Sequence, residues 1–248
     1  MEAESRGAVA AVTSAHPGAG VTTVAAGLAF ALAGDGAGAV ALAEPAPTVP
    51  ELALSLRLAP RQSLGELIRA PDRLDEAAVR DAAVRHDAGV DVLAYPPETL
   101  RPDPLDPAAG RSLVAALRAG YDWAVLDLGA GADPGAVELM RLADVVLLVV
   151  RPDAPGMRLA RAYAKRLAGE LPPDRVKPVA NRYRRAGGLA WRKVQEGLTA
   201  PIAAWLPDDP RAVRKSVNLG RPVAEVGGRF ARRCRELARL VQTAAPHP

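Results

Sequence analysis

The stretch from Ala8 to Ala33 constrains the fold more than any other part of the sequence. An apolar run over Ala8–Val12 is short enough for a buried strand, and a turn of small residues over Thr13–Gly20 follows it. The next segment, Val21–Ala33, predicts a helix that only Gly27 interrupts. A strand, a glycine-bearing turn and a helix in this order are typical of a phosphate-binding loop.

The chemistry of such a loop comes from backbone and hydroxyl groups. N–H groups at a helix start have no partners within the helix, and the helix dipole adds partial positive charge. Gly18 and Gly20 let the backbone approach a phosphate, and Thr22 or Thr23 offers a hydroxyl to Mg²⁺. The strict pattern G-x-x-x-x-G-K-[ST] is not met, because Ala15 and Val21 hold its first glycine and lysine positions. An ordinary strand-to-helix turn, which also needs small residues, is therefore an alternative at this point.

Composition excludes several other classes of protein. The single cysteine, Cys234, excludes a disulfide within the chain and a cysteine-rich metal site. No apolar run reaches the roughly 18 residues that span a bilayer, and the N-terminus lacks a signal peptide, so we expect a cytoplasmic protein. The net charge is +4, with the basic excess in 175–192 and 211–239. This excess favours a solvated arginine surface, and a patch for DNA or an anionic membrane is the alternative.

Apolar runs alternate with helical periods along the whole chain. We expect strands near Ala8, Ala39, Val90, Ala124, Val145, Val176 and Pro201. We expect helices over 51–58, 63–68, 74–85, 108–119, 134–142, 156–167, 189–197, 212–217 and 229–243. This alternation predicts an α/β fold with a doubly wound, largely parallel sheet flanked by helices. Residues 8–243 form one predicted domain, between a disordered lead over 1–7 and a disordered tail over 244–248.

Several segments together carry a family resemblance. TSAHPGAGVTT, at Thr13–Thr23, resembles the deviant Walker motif of the MinD/ParA ATPases, and within that group it is most similar to the CpaE/TadZ proteins of pilus assembly. VALAEPAPTVPELALSLRL at 40–58 resembles the family's second strand and the aspartate-bearing segment after it, and YDWAVLDL at 121–128 its Walker B-like strand. ADVVLLVVRPD, Asn181-Arg182 and the closing segment LPDDPRAVRKSVNLGRPV at 206–223 follow in the family's order. The resemblance implies a P-loop NTPase fold of the SIMIBI type.

The resemblance also implies a ligand and its contacts, namely ATP or ADP with Mg²⁺. The implied phosphate contacts are Gly18, Ala19, Gly20, Val21, Thr22 and Thr23, and the residues implied beside the base are Asn181, Arg182 and Pro207. Thr22 and Asp127 are the implied magnesium residues, and Glu44 falls at the family's aspartate that orients the attacking water. Glu44, Asp127 and Asn181 also fall at predicted strand ends, where ligands bind in such sheets. For Asp127 and Asn181 the alternative is a cap of the following turn or loop.

The loop departs from the family at its charged positions. His16 stands at the signature lysine that crosses a dimer interface, and Val21 at the lysine that contacts the bound nucleotide's own phosphates. Pro17 replaces a glycine and removes one backbone donor. Phosphoryl transfer depends on positive charge around the developing phosphate charge. We therefore expect weak nucleotide binding and impaired hydrolysis. His16 is either a weak cation near phosphate or a solvent-facing loop residue.

The sequence is compatible with three functions. The first is a nucleotide-binding localisation or scaffold factor for pilus assembly, septum placement or a related machine. The second is an active partitioning ATPase, and the third is a nucleotide-free interaction domain. The expected partners are a second copy of the chain and proteins of a membrane-associated, secretion or division machine, with recruitment to the inner face of the membrane. The closing helix carries Phe230, Cys234, Leu237 and Val241 on one face, which either packs on the sheet or meets a membrane.

Overall fold

The computed structural model describes residues 7–184, 191–196, 198 and 200–245. Its strands are β1 (Ala8–Ser14), β2 (Val40–Ala43), β3 (Val84–Arg85), β4 (Val90–Leu93), β5 (Trp123–Ala130), β6 (Val145–Val150), β7 (Val176–Tyr183) and β8 (Ala204–Pro207). Its helices are α1 (Val21–Gly34), α2 (Leu52–Leu56), α3 (Leu64–Ile68), α4 (Glu76–Ala82), α5 (Pro107–Gly120), α6 (Pro134–Leu142), α7 (Ala154–Leu167), α8 (Trp191–Glu196), α9 (Pro210–Leu219), α10 (Val223–Val226) and α11 (Arg229–Ala244). A 3₁₀ turn covers Pro71–Arg73.

The strands form one sheet in the order β3-β4-β2-β5-β1-β6-β7-β8. β1 lies at its centre and pairs in parallel with β5, with Ala8 opposite Trp123, and with β6 on its other side. β3 is antiparallel to β4, and the other pairs are parallel. The predicted α/β fold is confirmed. Because the parallel strands all end at one edge, the loops that follow β1, β2, β5 and β7 meet there.

Both faces of the sheet are covered, since alternate residues of β1 point into different cores. Val9 and Ala11 pack in the core that includes residues of α5, and Ala10 and Val12 pack in the core that includes residues of α1 and α11. The buried face of α11 is the predicted set of Phe230, Cys234, Leu237 and Val241, so this helix packs on the domain through its apolar face. No helix in the described part of the chain is long and apolar enough to cross a bilayer.

Two predicted elements are wrong at one end. The helix expected over 74–85 stops at Ala82, and Val84–Arg85 forms β3 instead, because a turn closed by Gly89, at φ 86°, pairs it with β4. The last strand, expected from Pro201, begins at Ala204, since the Ile202 N–H is bonded to the Gln195 side chain at 2.9 Å.

The predicted ends of the domain fall partly outside the described residues. Residues 1–6 and 246–248 of the predicted lead and tail lie there, and so do 189, 190 and 197 of the predicted helix around α8. Gly7 donates a hydrogen bond to the Arg118 carbonyl at 3.0 Å, and Ala245 is buried. The structure therefore places these two residues in the domain.

Candidate nucleotide-binding site

The loop between β1 and α1 has the backbone conformation of an anion-binding turn. Gly18 and Gly20 have φ values of 78° and 91°, in the left-handed region that glycine enters at little cost. Gly20 is the N-cap of α1, and no side chain caps the helix. Within the described chain, no residue accepts a hydrogen bond from the N–H groups of Val21, Thr22 or Thr23. These three donors and the helix dipole are therefore available to an anion.

His16 is half-buried and bonded to its own loop. Its ring Nδ1 is 2.8 Å from the Pro17 carbonyl oxygen, to which it donates, and its own carbonyl accepts from the Ser14 hydroxyl at 2.6 Å. The ring and the carbonyl of His16 are thus both bonded within the β1–α1 loop.

The Asn181 side chain joins β7 to the loop, from a position two residues before the end of the strand at Tyr183. It is buried, its Nδ2 donates to the Ala19 carbonyl oxygen at 2.8 Å, and its Oδ1 accepts from the Arg182 N–H at 2.9 Å. A Cβ atom on Gly20 would lie 2.5 Å from the same Nδ2. The predicted base contact therefore also holds the loop, and only a glycine fits beside it at position 20.

Two buried carboxyl groups lie beside each other in the sheet. Glu44 directly follows β2, as predicted, whereas Asp127 lies within β5, three residues before its end at Ala130, because the strand continues past it. Glu44 Oε1 accepts from the N–H groups of Glu51 and Leu52, at 2.9 and 3.3 Å, and so anchors the start of α2. Asp127 Oδ1 accepts from the Gly129 N–H at 3.1 Å. The second oxygens, Glu44 Oε2 and Asp127 Oδ2, are buried and have no partner among the described residues.

Burial raises the pKa of both carboxyls, and the charge of Asp127 raises the pKa of Glu44 further. The nearby Thr22 hydroxyl and the Gly129 N–H, which donates to Oδ1, oppose this effect at Asp127, because both favour its charged form. Thr22 and Asp127, the predicted magnesium residues, are thus brought together beside Glu44. Unpartnered carboxylate oxygens and a hydroxyl fit Mg²⁺, which takes one or two carboxylates and completes its shell with water and phosphate. The described residues hold no group of three or more His, Cys, Asp or Glu side chains that would form a cage by themselves.

A cavity of about 540 Å³ opens on the other side of the loop. Its volume is in the range of small-molecule sites. Of the predicted contacts, five line it: Gly20, Thr23, Asn181, Arg182 and Pro207. Gly18, Ala19, Val21 and Thr22 lie outside its lining, and Ala19 is fully buried.

Sequence reasoning missed the charged residues that share this cavity. They are Arg151, Asp153, Arg184, Asp208, Asp209 and Arg214. A signal for them exists, because RPD after β6 and PDD at the end of β8 follow apolar strands in the same way as Asn181-Arg182. Tyr163 of α7 was also missed. Its hydroxyl lies 3.2 Å from the Thr13 hydroxyl and donates to the Gly131 carbonyl, which ties the start of the loop to the segment after β5.

The parallel sheet, the glycine loop before α1 and the acid pair beside it define a P-loop NTPase fold. A model of the family described as "Cellulose biosynthesis protein BcsQ" matches residues 8–171, and the chain belongs to this family, which is of the MinD/ParA type.

Relatives and solved structures agree with this placement. The putative septum site-determining protein MinD of Oltmannsiellopsis viridis is 28% identical over 222 residues, covering 86% of this chain and 67% of the relative. The ParA family ATPase of Chlorobium tepidum TLS has a TM-score of 0.83 at 22% identity, covering 94% of this chain and 98% of that one. The septum site-determining protein MinD of Pyrococcus horikoshii OT3, solved with Mg-ADP, has a TM-score of 0.80 at 23% identity, covering 94% and 95%. The MinD protein of Aquifex aeolicus, solved as a MinC:MinD complex, has a TM-score of 0.79 at 23% identity, covering 97% of this chain and 98% of that one.

Proposed function

We propose that this protein binds ATP or ADP with Mg²⁺ weakly, hydrolyses ATP at or near background, and serves as a localisation or scaffold factor for a cell-surface or division machine. The observation that carries the proposal is a loop with three open N–H donors and no lysine. Its Kd for nucleotide is expected to be micromolar to millimolar, about −8 to −4 kcal/mol.

Binding is supported by the match between loop, acid pair and cavity. The nucleotide's phosphates would meet the N–H groups at the start of α1, and its base would enter the cavity beside Asn181 and Pro207. Thr22 and Asp127 would hold Mg²⁺, which neutralises phosphate charge when it is bound. That a MinD structure contains Mg-ADP supports the same ligand here.

Slow turnover is supported by two features near the expected position of the terminal phosphate, the missing lysines and the state of Glu44. Removing one donor of transition-state charge typically costs ~10²–10³ in rate, and both lysine positions lack a lysine. Glu44, the predicted catalytic residue, uses Oε1 to anchor α2, and its raised pKa favours the protonated form, which does not accept a proton from water.

The cellular role is supported by the names of the relatives. The matching family is described as a cellulose biosynthesis protein, and the relative from Oltmannsiellopsis viridis is a septum site-determining protein. Both kinds of process take place at the cell envelope. A cytoplasmic factor, dimeric and recruited by protein partners to the inner face of the membrane, fits both. Pilus assembly, which the CpaE/TadZ resemblance implies, is a third machine of this kind.

Steady-state phosphate release from purified protein tests the turnover proposal. The wild type should match Thr22→Ala, which serves as the control for contaminating ATPase. Val21→Lys should raise nucleotide affinity, and Val21→Lys with His16→Lys should recover slow turnover. Val21 is buried, so a thermal melt of each variant must show that it folds. A wild-type rate of ~1 s⁻¹ or more that vanishes in Thr22→Ala would refute the proposal.

That refuting result would favour the second function, an active partitioning ATPase. The specific observation behind it is the set of arginines in the cavity, since a guanidinium can replace a lysine on phosphate. If the wild type binds no nucleotide at all, the nucleotide-free interaction domain takes the place of both.

A further inference from the structure

We infer that Arg182 supplies the positive charge for the phosphate nearest the ribose, in place of the lysines that the loop lacks. The inference rests on the proposed nucleotide binding and gives one residue of that site a specific partner. Four lines of observation lead to it.

The first is that the site has no lysine. The chain's lysines are Lys165, Lys177, Lys193 and Lys215, and none of them lies in the β1–α1 loop or lines the cavity. His16 donates to the carbonyl of Pro17. Among the described residues of this chain, the candidates for a fixed cation on phosphate at this site are therefore the arginines of the cavity.

The second is that the arginines differ in how they are paired. The cavity is lined by Arg151, Arg182, Arg184 and Arg214. Arg151 pairs with Asp153 at 2.6 Å, and Arg184 pairs with Asp208. Arg214 donates through Nε to the Pro210 carbonyl on its own helix at 3.2 Å. Arg182 is exposed to the cavity and forms no ion pair with the described residues.

The third is the backbone that presents Arg182. Its φ of 57° is in the left-handed region, where Arg57 is the other described residue that is not glycine. The pairing of β7 with β8 shifts between Ala180 and Tyr183, and such irregularities re-aim side chains beside sites. The Asn181 amide stabilises this conformation by accepting the Arg182 N–H, and the same amide holds Ala19 of the loop. Strain held in place next to a ligand cavity points to a role in that site.

The fourth is the position of β7 in the sheet. The order β5-β1-β6-β7 puts Arg182 three strands from Asp127, roughly 14 Å at the usual strand spacing. The acid pair and Thr22 lie at the β5 side, where the metal and the terminal phosphates belong. The base cavity lies at the β7 and β8 side. A nucleotide that spans the loop thus brings its first phosphate, rather than its last, to Arg182.

Calorimetric titrations with ATP, ADP, AMP and adenosine test this assignment. Arg182→Ala keeps the Cβ and so the backbone strain. It should weaken the binding of ATP, ADP and AMP by a similar factor, about tenfold or more, and leave the affinity for adenosine unchanged. Arg182→Lys should recover part of the loss. Arg161→Ala, which removes an exposed arginine of α7 outside the cavity, should bind all four like the wild type.

Other outcomes would overturn the inference. A loss of affinity confined to ATP would place the guanidinium at the terminal phosphate. An equal loss of affinity for adenosine would mean that Arg182 acts on the structure of the site or on the base. If Arg182→Ala is folded, as thermal melting would show, and binds all four ligands like the wild type, the inference is wrong but the proposed function is unaffected. A wild type that binds none of the four ligands would contradict both.

Discussion

The side chain of Asn181 and the backbone of Ala19 are joined by a buried hydrogen bond of 2.8 Å, from Nδ2 to the carbonyl oxygen. The bond links two segments that are 162 residues apart in sequence. It fixes the shape of the β1–α1 loop from the far side of the site, so the loop does not depend on a bound ligand for this contact.

Removing this bond should lower both stability and nucleotide affinity. In Asn181→Asp the carboxylate still accepts the Arg182 N–H but cannot donate to Ala19, whereas Asn181→Ala leaves both backbone groups unpaired. Leaving the buried Ala19 carbonyl oxygen unpaired costs about 1–3 kcal/mol. Urea unfolding of the two variants should show losses of this order. Equal stability of both variants and the wild type would mean that water or a shifted loop replaces the bond.

Gly27 allows α1 to pack closely on α11. A Cβ on Gly27 would lie 2.6 Å from Cys234 Sγ, whereas one on Gly34 of the same helix meets nothing within 4 Å. Gly27→Ala should therefore destabilise by about 1–3 kcal/mol, as overpacking does, while Gly34→Ala should be neutral or stabilising, since alanine favours a helix.

The double variant Gly27→Ala with Cys234→Ala identifies the cause of the first effect. Truncating Cys234 makes room for the new methyl group, so part of the lost melting temperature should return relative to Gly27→Ala. If the double variant melts no higher, the cost arises elsewhere in the α1–α11 contact.

The pH dependence of stability should report the proton on Glu44. Its pKa is raised by burial and by the charge of Asp127, so the folded protein binds a proton that the unfolded chain releases above about pH 4.3. A raised folded pKa contributes stability that is complete below the unfolded pKa and is lost as the pH rises through the folded value. The neutral variant Glu44→Gln should therefore gain in melting temperature over the wild type as the pH rises from about 4 past neutrality.

A surface acid provides the control for this series. Glu98 is exposed and forms no ion pair with any described residue. The difference in melting temperature between Glu98→Gln and the wild type should therefore stay nearly constant as the pH rises. If the melting temperature of Glu44→Gln relative to the wild type is also constant, or falls with rising pH, Glu44 does not carry a proton in the folded protein.

Sequence alone predicted the parts of this molecule that local rules govern. The helix expected over 63–68 forms as α3, which a capping box of Ser63 and Glu66 starts, and the parallel strands follow from their apolar runs. The short β3 was missed because its pairing with β4 depends on a hairpin, while the residues before it have helical periodicity. The sheet order was not predictable from periodicity, because it depends on crossovers between distant segments.

In the candidate site, too, some features follow from sequence patterns and others depend on the folded structure. Glu44, Asp127 and Asn181 were predicted because strand ends carry ligands in such sheets, but only Glu44 directly follows its strand, since β5 and β7 continue to Ala130 and Tyr183. The bond from Asn181 to Ala19 joins residues 162 positions apart, and the ion pair of Arg184 with Asp208 joins residues 24 positions apart. Such contacts follow from the packed structure, and no spacing pattern indicates them.

The most direct test of the account is a calorimetric titration of ATP and ADP, with and without Mg²⁺, into the wild type, Gly20→Ala and Gly36→Ala. Both glycines have positive φ, 91° and 78°, so both substitutions strain the backbone. The new Cβ on residue 20 would meet Asn181 at 2.5 Å, whereas the one on residue 36 meets nothing within 4 Å. We predict micromolar to millimolar binding by the wild type and by Gly36→Ala, stronger with Mg²⁺, and its loss in Gly20→Ala. Binding that survives in Gly20→Ala, or that is absent from the wild type, would contradict a nucleotide site at this loop.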